Sequence, residues 1–182
     1  MPLRRSALTW LLALALSALA GTCLAGPTDD IRLLLSRGDL PGALSAADRS
    51  LQVQPRDATL RFLRGVVLMD MRRDDDAVAQ FTQLTHEFPE LPEPFNNLAL
   101  LHARAGRLEE ARLSLHSALL NDPGYQAARV NLGQVYLLLA AKTWEQAASA
   151  ATADSALRRK LQALRNLLAS EALAGPAASA AR

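Results

Sequence analysis

Residues 89–123 read PELPEPFNNLALLHARAGRLEEARLSLHSALLNDP, from one proline to the next. Two runs with apolar residues at helical spacing, 92–105 and 108–120, flank Gly106. The glycine suits the turn between two helices, and each proline breaks the chain because it cannot continue a helix. The same punctuation recurs along the sequence. Pro55, Pro89 and Pro123 are spaced by 34 residues, and Ala43, Ala77 and Ala111 keep that spacing. Gly38, Arg72 and Gly106 fall in the same register, as do Ala47, Phe81 and Leu115, and then Ser50, Leu84 and Ala118. Five columns in one register mark an internal repeat, and a repeat of this length is one supersecondary unit.

Composition agrees with an all-α chain. Half of the 182 residues are apolar, but only 4% are aromatic. The apolar mass is Ala and Leu, both strong helix formers. The formal charge of +2 belongs to the first residues alone, where Arg4 and Arg5 have no acidic neighbour. Beyond residue 25 there are 18 basic and 18 acidic side chains, and they form no basic stripe of the kind nucleic acid requires.

The stretch Gly106-Arg107-Leu108-Glu109-Glu110-Ala111, the run Asn121-Asp122-Pro123, and Asn131-Leu132-Gly133 with Tyr136 carry a resemblance to the tetratricopeptide repeat family. It covers about residues 28–150. It implies hairpins of antiparallel helices, A and B, stacked into an α-α superhelix of three to four hairpins. Early Ala residues in helix B let the two helices approach, and stacking buries an apolar face that one hairpin alone leaves open. The expected hairpins are 28–37 with 41–53, 58–71 with 74–87, and 92–105 with 108–120, followed by a long helix from about 126. Thr28 is the expected first N-cap. Asp74, Asp75 and Asp76 fall at a helix start, where the macrodipole favours negative charge, and are read that way rather than as a metal site.

Some positions depart from the pattern. Arg64 stands where the family has Leu, beside Gly65, and Arg72 replaces the turn glycine. The fourth unit loses register after Tyr136. Trp144-Glu145-Gln146-Ala147 either opens a helix B or belongs to one long helix from which the turn is deleted; the sequence leaves both open. Trp144 is expected as a core filler in either case. Residues 154–173 form a last helix, capped by Asp154 or Ser155, with Leu157, Leu161, Leu164 and Leu168 in one stripe. It is expected to cap the solenoid of residues 26–153. The alternative is contact with anionic lipid through Arg158, Arg159, Lys160 and Arg165. Residues 174–182 are expected as a disordered tail.

Residues 1–25 read as a secretory signal: Arg4 and Arg5, an apolar stretch from Trp10 to Ala20, then Cys23-Leu24-Ala25 before a cut at Gly26. The expected location is the periplasm, and the chain resembles short exported repeat proteins of Gram-negative bacteria. The alternative is a lipoprotein acylated at Cys23, although Thr22 puts Leu19-Ala20-Gly21 one residue out of register for it. Under that alternative the chain is a pilotin-like factor for a pilus or secretion pore.

Chemistry is sparse. His86, His102 and His116 share no metal-ligand spacing, Cys23 falls in the leader, and no Gly-rich phosphate loop occurs. The expectation is a protein that is not an enzyme and has no cofactor or metal. What the family resemblance implies instead is a groove lined by the A helices, which takes a segment of another protein, here an envelope component. Carried over by position, the groove residues are Thr59, Phe62, Val66 and Met69, then Asn96, Asn97, Leu100 and Arg104, then Asn131 and Gln134, with Leu63, Glu93, Val130 and Leu138 beside them. Asn97 and Asn131 match positions where an amide bonds a ligand backbone, a role that needs donor and acceptor together. The basic clamp by which some members hold a carboxylate terminus is missing, since Phe62, Val66, Val130 and Gln134 occupy its places.

Overall fold

A computed structural model describes residues 26–149 and 154–173. The expectations for the leader, Cys23 and residues 174–182 lie outside the described residues. Eight helices follow one another among them: α1 (Pro27–Ser36), α2 (Leu40–Val53), α3 (Ala58–Asp70), α4 (Asp74–Glu87), α5 (Pro92–Arg104), α6 (Leu108–Asn121), α7 (Gln126–Ala148) and α8 (Ser155–Leu173). Three hairpins, α1/α2, α3/α4 and α5/α6, stack into an all-α solenoid. The layer of first helices runs α1, α3, α5, α7, each near the next, whereas no such approach joins α2 to α4 or α4 to α6 among the described residues. Helices crowded on one side and spread on the other make the stack curve, with the first helices on its inner face.

The turn inside each hairpin shows why the register contains glycine. Gly38 and Gly106 have φ of 73° and 74°, and Arg72, at the same place in the second unit, has φ of 60°. The backbone is held there by a shared bond. The N–H groups of Asp39, Arg73 and Arg107 donate to the carbonyls of Leu34, Leu68 and His102 at 2.9–3.0 Å. Arg72 therefore carries a left-handed conformation that disfavours a side chain. At the first helix the expectation of a Thr28 cap is corrected. Gly26 is the N-cap, Pro27 opens the helix with its preset φ, and Asp29 accepts from the Gly26 N–H at 3.1 Å.

The two helices of each hairpin meet through one large and one small residue. Ile31 shares a buried cluster with Ala47, and Ala99 shares one with Leu115. In the second unit Gly65 lies under the Phe81 ring, whose Cε1 would be 2.6 Å from a Cβ at Gly65. Phe81 is fully buried and meets Phe62 with ring centroids 5.7 Å apart. A side chain of that size contributes about 1.5–3 kcal/mol when fully buried.

The ends of the stack differ. Val67 and Leu101 are buried against the preceding hairpin, but Leu33, in the same column, is 47% exposed. Gly26 and Asp29 stand where the second unit has the buried Leu60 and Leu63. The first hairpin thus presents a largely polar outer face, as an end repeat must. At the other end α7 runs unbroken to Ala148, so the reading with the turn deleted holds. Ala140 occupies the turn-glycine column, and no Gly or Pro follows before Ala148 to stop a helix. Gly133 meets nothing within 4 Å, in the place where a returning helix B packs in the other units. Trp144 is half-buried. α8 lies against α7, burying Leu161 and Leu164, with Arg165 bonded to Glu145 at 2.8 Å and Asp154 accepting from the Ala156 N–H at 3.0 Å. No described helix is long and apolar enough to cross a membrane.

Candidate functional site

The inner face is built by one side of α3, α5 and α7. Asp57 caps the start of α3 by accepting from the Leu60 N–H at 2.8 Å, and Pro92 stands in the first turn of α5. Thr59 and Gln134 are exposed on this face, Val130 is 49% exposed, and Glu93 is exposed at its edge. Leu100 and Leu138 are half-buried. Phe62 and Met69 pack against the cluster of Val66, Phe81, Leu84, Leu98 and Leu101, and so brace the second and third units against each other. Leu63 is buried in the cluster before it. Arg104 is exposed and paired with Asp74 at 2.7 Å, which ties α5 to the start of α4.

The amides gather at the centre. The Asn131 Nδ2 donates to Asn96 Oδ1 at 2.8 Å, linking α5 to α7. Asn96 is fully buried, Asn97 beside it is nearly so, and Asn131 is half-buried. The Asn96 Nδ2 has no partner among the described residues. An unmet buried donor costs about 1–3 kcal/mol, so the amide pair is a polar feature that packing alone does not reward. Sequence spacing puts Asn97 and Asn131 in one column; the structure joins Asn131 to the neighbouring column instead.

A second feature lies on the opposite, outer side, between α2 and α4 with α3 as its floor. A cleft of about 880 Å³ is lined there by Asp48, Arg56, Arg61, Arg64, Gln80 and Glu87, with Leu51, Pro55, Gln83 and Phe88 around them. The Arg64 Nε donates to Asp48 at 2.6 Å and one of its terminal nitrogens to Gln80 at 3.1 Å, so its fork bridges α2 and α4. Arg61 makes two bonds to the Glu87 carboxylate, at 2.5 and 3.1 Å. That hydrogen bond, with lesser help from Gln83 and the charge of Arg56, holds the Glu87 carboxyl below the usual carboxylate range. The departure at Arg64 was legible in the sequence. Arg61 was not, because its partner lies 26 residues away.

His102, at the end of α5, is half-buried, and its Nδ1 has no partner among the described residues. Burial, with the charge of Arg107, pushes its imidazole below the ordinary histidine value, against a weaker pull from Glu110. No group of three His, Cys, Asp or Glu side chains that could hold a metal is found among the described residues.

Stacked helical hairpins with a continuous inner face define an α-solenoid repeat protein. Residues 29–92 match the family model described as tetratricopeptide repeat. Solved structures agree on the fold. The first tetratricopeptide domain of Spaghetti (RPAP3), bound to an HSP90 peptide, is 14% identical with a TM-score of 0.59, covering 63% of this chain and 90% of that one. The Sgt2 domain of Aspergillus fumigatus is 12% identical with a TM-score of 0.62, covering 70% and 85%. A thermophilic tetratricopeptide protein of Thermus thermophilus is 33% identical with a TM-score of 0.51, covering 56% of this chain and 52% of that one. No curated protein sequence matches.

Proposed function

We propose that the protein is a non-enzymatic adaptor that holds a segment of a partner protein along the inner face of α3, α5 and α7. The observation that carries this reading is the amide pair of buried Asn96 and half-buried Asn131, with Asn97 beside it in the chain and the Asn96 Nδ2 unpaired among the described residues. Exposed Thr59, Val130 and Gln134 flank it. Amides offer donor and acceptor at once, which suits an extended backbone, and Val130 offers apolar area beside them. Two solved structures of this fold, RPAP3 domains, hold HSP90 and HSP70 peptides, which supports a peptide-binding use of the fold. The clamp positions hold Phe62, Val66, Val130 and Gln134 here, so the segment is bound through its backbone and apolar side chains rather than through a charged terminus.

The leader Arg4-Arg5 with its apolar stretch supports a periplasmic setting and an envelope partner. Mass spectrometry of the mature N-terminus tests this: cleavage before Gly26 supports it, and an acylated Cys23 replaces it with a lipid-anchored protein. The groove itself is tested by photo-crosslinking residues placed at Val130 and Gln134, with the exposed Leu120 of α6 as control. A partner trapped from the groove positions only, and lost with Asn96→Leu/Asn131→Leu in a protein that still folds, is the expected result. Equal trapping from Leu120 overturns the assignment.

A further inference from the structure

We propose that the outer cleft between α2 and α4 is a second binding site, for a carboxylate carried next to an apolar side chain. The repeat itself provides the internal control. Arg64 shares its column with Leu98 and Leu132, both buried, and Arg61 shares its column with Phe95. What the next interface fills with hydrocarbon is here occupied by two guanidinium groups. Burying charge is costly, and well-packed apolar residues at such positions are commonly as stable or more so. Stability therefore gives no reason for the exchange, and the two guanidinium groups line an open cleft of about 880 Å³.

The chemistry of the walls selects the ligand. The Arg61 side chain is only 7% exposed, and its fork is fixed by Glu87, while the Arg64 fork is fixed from both sides by Asp48 and Gln80. Planar forks held in place present donors in a geometry that suits a carboxylate. Arg56 is exposed at the rim and has no ion pair among the described residues. The lining carries three arginines against the two carboxylates Asp48 and Glu87, one net positive charge, which matches a single anionic group. Leu51, Pro55 and Phe88 add apolar wall, which favours a carboxylate attached to an apolar residue over a bare inorganic anion. Such a group is either a chain terminus or an Asp or Glu side chain. The site lies on the face opposite the amide cluster, so the two can be occupied together.

The test is a titration of the full chain, observed by NMR at the arginine Nε–H groups. The probes are Leu-Leu-Leu with a free carboxylate, acetyl-Leu-Leu-Glu amide, acetyl-Leu-Leu-Leu amide, and inorganic phosphate. The expected result is saturable shifts at Arg56, Arg61 and Arg64 with one or both carboxylate peptides, and none with the uncharged amide. Which of the two binds tells terminus from side chain. Arg64→Leu, which installs the residue of the third and fourth units, should keep the fold and weaken binding about tenfold, the loss of a charge-assisted bond. Arg56→Gln at the exposed rim should weaken it without touching the packing. Absence of shifts, equal response to phosphate, or unchanged binding in both variants overturns the proposal.

Discussion

Gly65 and Gly133 occupy the same column of the repeat, yet the same substitution at each should have opposite effects. Replacing glycine by alanine inside a helix gains about 1 kcal/mol from reduced backbone entropy in the unfolded chain. At Gly133 a new methyl meets nothing within 4 Å, so Gly133→Ala should stabilise by about 0.5–1 kcal/mol. At Gly65 the methyl would sit 2.6 and 2.8 Å from two carbons of the Phe81 ring. That ring is fully buried among Leu84, Leu98 and Leu101 and braced by Phe62, so it has little room to withdraw. Overpacking of this kind costs about 1–3 kcal/mol, which exceeds the helix gain. Gly65→Ala should therefore destabilise by about 1 kcal/mol net.

The third unit shows the remedy. It pairs Ala99 with Leu115 where the second pairs Gly65 with Phe81. Gly65→Ala/Phe81→Leu copies that arrangement, and the double variant should be more stable than the sum of the singles by about 1–2 kcal/mol. Equilibrium urea unfolding followed by circular dichroism measures Gly133→Ala, Gly65→Ala, Phe81→Leu and the double variant against the wild type. If Gly65→Ala stabilises as much as Gly133→Ala, or if the two second-unit substitutions simply add, the large-small pairing argument is refuted.

Three further outcomes are expected. Arg72→Gly relieves a positive φ of 60° at a place where the first and third units use glycine, so the melting temperature should rise, with about 1 kcal/mol gained. Asn131→Leu removes the bond to Asn96 Oδ1 and strands a fully buried amide, so unfolding should become easier by about 1–3 kcal/mol, measured in urea, and Asn96→Leu/Asn131→Leu should recover part of the loss. His102 is held below its ordinary value of 6.5 in the folded state, so the unfolded chain takes up the proton first. Stability should be intact above that pH and fall as pH drops below it, and His102→Gln should flatten the slope between pH 7 and 5 in urea titrations.

The repeat period, the helix positions and the hairpin turns were legible in the sequence because each rests on local chemistry. Proline stops a helix, glycine accepts a positive φ, and small residues at a fixed spacing mark a close approach. The fate of the fourth unit was open only because its punctuation is missing, and Ala140 in the turn column let α7 continue. The amides and arginines themselves were visible, and the helical period assigned several of them a face. Their partners were not visible. Asn131 reaches Asn96 rather than Asn97, Arg61 finds Glu87, and Arg64 spans Asp48 and Gln80. Those choices depend on how far each hairpin is rotated against the next, a quantity set by the packing of Phe62 and Phe81 against Leu98 and Leu101 and its counterparts and encoded in no single segment. The sequence by itself determined an all-α repeat with its register; only the stacking of the units decided which polar groups meet in the groove, and that the outer face opens into an arginine-lined cleft.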